Sequence, residues 1–122
     1  MVHSPRFLAL VDDAKSRISE IETDEVLARQ ERGEPIHLID VREESEWAAG
    51  HARGATYLGR GILERDVEAR FPDLDTPLVL YCGGGFRSAL SADALRAMGY
   101  TKVWSLAGGW KAWRQAGGPI MS

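Results

Sequence analysis

The sequence predicts an α/β domain in which a mostly parallel sheet is covered by helices on both faces. Three observations predict it. Two short, mostly apolar runs, residues 36–41 and 78–81, are too short for helices and apolar enough for strands buried on both sides. Segments with apolar residues at helical spacing alternate with these and with other strand-like runs, the order that parallel connections require. The chain has 122 residues, 44% hydrophobic and 27% charged, which suits one globular domain with one core.

The elements follow in order. Ser4-Pro5 marks a helix start, with Ser4 as N-cap and proline at the first helical position. Phe7, Leu8, Val11 and Ala14 repeat at i, i+3/i+4 spacing, so residues 5–17 form an amphipathic helix. Residues 18–21 are a short strand. Thr23 caps a second helix whose first turn holds Asp24 and Glu25, the sign the helix dipole favours, and Arg32-Gly33 ends it. Residues 36–41 are a strand, 44–50 a short helix, 55–58 a brief strand, and 62–71 a helix closed by Pro72. That last helix mixes Arg65 and Arg70 with Glu64, Asp66 and Glu68, a solvated face with Asp66 and Arg70 at i, i+4. A turn over residues 73–77 leads into the strand 78–81. Residues 87–98 form a helix with Leu90, Ala94, Leu95 and Met98 on one face and Gly99 as C-cap. Residues 103–106 are the final strand, and 109–115 a final helix ending at Gly117-Gly118-Pro119. The expected organisation is an N-terminal helical extension over residues 1–17 and a five-stranded domain over 18–122.

Composition excludes several classes. The 15 basic and 18 acidic residues give a net charge of −3, so nucleic acid is not an expected partner. No apolar run approaches the ~20 residues of a membrane helix. The opening residues lack the basic-then-apolar pattern of a signal peptide. A single cysteine forms no intramolecular disulfide, so a reducing, cytoplasmic setting is expected. His3, His37 and His51 lie far apart without zinc-like spacing, so neither a metal nor another cofactor is expected.

In parallel α/β sheets ligands collect at the carboxyl ends of the strands, where Asp40 and Cys82 both fall. Cys82 opens the segment Cys82-Gly83-Gly84-Gly85-Phe86-Arg87-Ser88, which runs from strand to helix. The glycines permit φ > 0 and leave the loop centre open, so successive N–H groups can form an anion-binding nest above a helix N-terminus. A thiolate there is stabilised and needs no histidine. Arg87 is placed to clamp a small oxyanion or to brace the loop through its carbonyls. No G-x-x-x-x-G-K-[ST] or G-x-G-x-x-G pattern marks a nucleotide loop. Asp40 and Arg42 form an expected brace over the sheet end, Arg60 lies within reach of the pocket, and Trp47, Trp104, Trp110 and Trp113 are packing anchors.

Cys82-x-x-Gly85-x-Arg87 resembles the active-site loop of the single-domain rhodaneses, the thiosulfate sulfurtransferases. Asp40-Val41-Arg42-Glu43, Glu46-Trp47 and Gly50-His51 with Gly54-Ala55 resemble that family's first signature; Ala107-Gly108-Gly109-Trp110 with Trp113 and Gly117 resembles its C-terminal one. The likeness covers residues 18–118 and leaves the N-terminal helix outside. It implies a five-stranded parallel sheet between helices, in which Cys82 attacks the outer sulfur of thiosulfate, releases sulfite and retains a persulfide. A thiophilic acceptor, such as cyanide, a small thiol or an acceptor protein, then removes the sulfur. The sequence departs from the family after His51, where Ala52-Arg53 replaces the common isoleucine-proline, and Gly83 and Gly84 bring no charge to the loop. Cysteine-arginine phosphatases resemble this fold but place one more residue between cysteine and arginine. A non-enzymatic interaction module is the other rival, and the presence of Cys82 weighs against it.

Overall fold

The two buried runs of the sequence become the middle of the sheet. In the computed structural model, which describes residues 2–122, they are β2 (His37–Asp40) and β5 (Leu78–Tyr81), paired in parallel. Outside β5 lie β6 (Val103–Leu106) and then β1 (Ser19–Ile21); outside β2 lies β4 (Thr56–Tyr57). The order β1-β6-β5-β2-β4 is parallel at every pairing.

Strand alternation sends neighbouring side chains to opposite layers. Ile39, Leu78 and Leu80 meet Leu63 and Val67 of α4 (Leu63–Arg70) and Leu95 of α5 (Phe86–Met98). Leu38, Val79 and Tyr81 meet Val26 of α2 (Thr23–Glu31) and Trp113 of α6 (Gly109–Gln115). Each fully buried aliphatic side chain contributes about 1.5–3 kcal/mol, so the central strands form a rigid base for the loops at their carboxyl ends. A short helix, α3 (Glu44–Ala49), follows β2 at that end. The N-terminal helix α1 (Pro5–Lys15) packs along α5, burying Val11 and Ala14. Ser4 accepts from Phe7 N–H at its start, and Arg17 beyond its end pairs with Asp93 of α5 at 2.8 Å.

The structure departs from the sequence reading in particular places. Thr23 is not the cap of α2 but its first residue; the extended backbone runs on through Glu22, and the buried Thr23 Oγ1 has no hydrogen-bond partner. The buried residues of α5 are Ser88, Ala89, Ser91, Ala92 and Leu95, while Leu90, Ala94 and Met98 are partly buried. That helix lies between the sheet and α1, and small residues permit the close approach on both sides. Asp66 pairs with the adjacent Arg65 at 2.7 Å instead of with Arg70. A second, antiparallel pair joins β3 (His51–Ala52) to β7 (Ile120–Met121); such short strands carry no readable period.

Candidate active site

Cys82 follows the last residue of β5 and turns into α5 within a few residues. Of the three loop glycines only Gly85 has positive φ, at +100°, where a Cβ would crowd Gly108 N at 3.3 Å and Leu106 O at 3.4 Å. The positive φ that the three glycines permit is therefore used only at Gly85, the N-cap of α5. It brings two backbone donors to Cys82: Gly85 N lies 3.2 Å and Ser88 N 3.3 Å from Sγ. Ser88 Oγ is 3.4 Å from Sγ and 2.8 Å from Ser105 Oγ. Both serines are buried, and α5 adds the positive end of its dipole.

The loop is held from behind. Trp110 N donates to Cys82 O at 2.7 Å and Lys111 N to Gly83 O at 3.2 Å. This contact requires glycine at position 109, where φ is +55° and a Cβ would lie 2.9 Å from Gly83 O and closer still to Cys82 O. The amides of α6 thus take the bracing role expected of Arg87. The Arg87 guanidinium instead reaches Glu46 of α3, Nη1 to Oε1 at 2.9 Å and Nη2 to Oε2 at 3.3 Å. Glu46 also accepts Glu43 N–H at 3.0 Å in a capping box. Arg87 holds the Glu46 carboxyl below the ordinary carboxylate range against the opposing effect of partial burial, and Glu46 in turn raises Arg87.

Asp40 and Arg42 lie on the other face of the sheet, with Tyr81. Arg42 donates Nη2–H to Asp40 Oδ2 at 2.7 Å and to Gly50 O at 2.6 Å. Tyr81 donates to Asp40 at 2.8 Å and accepts Ala52 N–H at 3.0 Å. The Arg42 guanidinium stands 4.8 Å from the Trp110 ring centroid. Burial works against the Arg42 charge, but Asp40 overrides it and the guanidinium stays above its ordinary value; burial, with Asp40 beside it, pushes the Tyr81 phenol up. The pair ties β2, β5 and both ends of the α3–β3 turn together.

A cavity of about 800 Å³ opens over Cys82 and is lined by Gly84, Phe86, Arg87, Glu46, Arg60 and the N-terminal residues Val2–Phe7 in part. Cys82 forms its floor although only 1% exposed. Gly83 and Ser88 belong to the loop without lining this space, and Asp40 and Arg42 stand outside it. A second cavity of about 700 Å³ adjoins it and shares Arg60 and Arg87. Arg53 is exposed, with its amide bonded to Pro119 O. His51 is stacked on Trp47 at 3.4 Å and does not line the Cys82 cavity. No group of three or more His, Cys, Asp or Glu able to hold a metal occurs among the described residues. No described helix is long and apolar enough to cross a membrane.

Sequence reasoning missed Ser105, Glu46 as the partner of Arg87, and the contribution of His3 and Phe7. For Ser105 a signal existed: alternation along β6 puts it on the face of Val103, where a hydroxyl in a buried strand needs a partner.

A model of the rhodanese-like domain family matches residues 22–116. The thiosulfate sulfurtransferase GlpE of Pseudomonas entomophila is 35% identical over 83 residues, covering 68% of this chain and 74% of its own length. The uncharacterized protein YqhL of Bacillus subtilis is 42% identical over 77 residues, or 62% of this chain, and the matched region spans 59% of that relative's length. A solved structure from Rhodopseudomonas palustris, a protein of unknown function described as a possible tyrosine phosphatase, superposes with a TM-score of 0.88 at 32% identity, covering 99% of this chain and 98% of that one.

Proposed function

The chain belongs to the rhodanese-like domain family, and we propose that it is a sulfurtransferase that carries sulfane sulfur on Cys82. The observation that carries this reading is the set of groups around Sγ: the Gly85 and Ser88 amides both point at the sulfur, and the Ser88 hydroxyl, itself bonded to Ser105, lies 3.4 Å from it. Amide donors in this position, with the positive end of the α5 dipole behind them, favour negative charge on sulfur in an attacking thiolate and in a persulfide alike.

The Cys82 thiolate attacks the outer sulfur of thiosulfate, the sulfur–sulfur bond of the donor breaks, and sulfite leaves with the bonding pair. An acceptor such as cyanide or a thiol then attacks the outer sulfur of the persulfide, and Cys82 departs as thiolate. Gly83 to Ser88 form the substrate loop, Arg87 and Arg60 supply positive charge at the mouth, and Asp40 with Arg42 supports the loop from the opposite face. No cofactor is part of this scheme. The catalytic domain is taken as residues 18–122, with 1–17 an extension, and the compartment as reducing, such as the cytoplasm.

The rival is the phosphatase reading attached to the Rhodopseudomonas protein. Against it, the loop between Cys82 and Arg87 is one residue short of the cysteine-phosphatase pattern, and the Arg87 guanidinium is directed to Glu46 instead of into the ring of amides. The test is intact-protein mass after incubation with thiosulfate: one sulfur is gained on Cys82 and lost to cyanide as thiocyanate. Turnover by Cys82→Ser, or Cys82-dependent hydrolysis of aryl phosphates without sulfur transfer, overturns the assignment.

A further inference from the structure

The cavity over Cys82 has a wall that the matched family span does not contain. The span begins at residue 22, whereas His3 and Phe7 stand against the active-site loop from the other end of the chain. The His3 ring centroid is 4.5 Å from that of Phe86 and 5.2 Å from that of Phe7, and Phe7 is 6.3 Å from Phe86. The wall is held in place because α1 packs along α5, the helix that begins with Phe86. Both Phe86 and Phe7 are only partly buried, so aromatic surface remains open to the cavity.

Two further features concern what fills this space. At about 800 Å³ the cavity is of the size that organic ligands occupy, and an anion of a few atoms leaves most of it empty. The ion pairs at this end of the sheet are Asp40–Arg42 and Glu46–Arg87; Arg60 lines the cavity and belongs to neither.

We propose that the N-terminal segment is a specificity wall, in which His3 and Phe7 join Phe86 to bind the flat apolar body of an organic thiol acceptor whose acidic group meets Arg60. The proposal rests on the Cys82 persulfide reading and names the acceptor class for that same site. An acceptor is favoured over a donor by depth. A donor must bring its sulfur down to the recessed Sγ, while the outer sulfur of a persulfide stands about 2 Å beyond Sγ and is met by an acceptor that need not reach so deep. The acceptor thiolate attacks that outer sulfur, the Cys82 S–S bond breaks, Cys82 leaves as thiolate, and the acceptor departs as its own persulfide anion. No oxidant or reductant is consumed.

The experiment loads the full chain with thiosulfate and compares 4-mercaptobenzoate with cyanide as acceptors for wild type, His3→Ala and Phe7→Ala. Loss of persulfide mass gives the rate. The ratio of kcat/KM for the arenethiol to that for cyanide is expected to fall about tenfold in each variant, the size of one aromatic contact. His3 precedes α1, so its truncation leaves the packing of Val11 and Ala14 untouched and gives a folded test even where Phe7→Ala is unstable. A ratio equal to that of wild type in folded His3→Ala overturns the wall while leaving sulfur transfer standing. Absence of thiocyanate from wild type with thiosulfate and cyanide removes the sulfurtransferase reading and the wall with it.

Discussion

Two arginine–carboxylate pairs stand at the same end of the sheet, on opposite faces, and behave differently. Asp40 and Arg42 are 0% and 3% exposed in their side chains; Glu46 and Arg87 are 35% and 32% exposed. The buried pair bonds within the protein: Asp40 accepts from Arg42 and Tyr81, and Arg42 also binds Gly50 O. It lines neither of the two cavities at the Arg87 side of the site. The half-exposed pair faces the cavity and competes with water, so a bound anion can share or replace the Glu46 contact. The same two chemical groups thus serve the fold when dry and, under the proposed function, the substrate when wet; burial makes the difference.

Breaking the buried pair has the largest expected effect. Arg42→Met leaves Asp40 buried without its counter-charge and costs about 3–5 kcal/mol, measured by urea unfolding. Stability within about 1 kcal/mol of wild type contradicts a structural role for the buried pair. Arg87→Ala reverses the pattern. Its stability falls by less than about 1 kcal/mol, while kcat/KM for an anionic donor drops roughly one to two decades, the worth of a charge-assisted hydrogen bond. A folded Arg87→Ala protein with unchanged kcat/KM takes Arg87 out of the site.

Between these lies the hydroxyl pair behind Cys82. Ser105→Ala removes the hydroxyl partner that fixes Ser88 and slows persulfide formation several-fold, for an expected loss of about 1 kcal/mol in the hydrogen bond. Ser105→Thr, which retains the hydroxyl, restores the rate if the effect runs through Ser88, whereas both variants fail alike if Ser105 matters only for packing.

The smallest effect is one of pH. The folded Glu46 carboxyl titrates below its ordinary value of 4.5. Its contribution is therefore present above that value and is lost as pH falls through the lower, folded one. The stability difference between wild type and Glu46→Gln should stay flat from neutral pH down to about 4.5 and shrink below it, with a plateau under about 1 kcal/mol. A difference that grows on acidification contradicts the pairing with Arg87.

The six helices, the five strands of the main sheet and the places of Asp40 and Cys82 at strand ends were legible in the sequence. These are local properties. Leu78–Tyr81 reads as a buried strand from its own apolar run, and Ser4-Pro5 starts α1 by its own hydrogen bond and fixed φ. Boundaries drifted where neighbours competed, as at Thr23, where the extended strand end took the cap position. The partners, by contrast, came from packing. Glu46 meets Arg87, Ser105 meets Ser88, and His3 meets Phe86 because β2 and β6 flank β5 and α1 packs along α5. Arg87 carries the same charge and reach in any arrangement; whether it braces the loop or faces Glu46 depends on which helix end the sheet order brings within 3 Å of it. A propensity belongs to one segment, whereas a hydrogen bond across the sheet belongs to two, and its geometry is set only when both are packed on the same core.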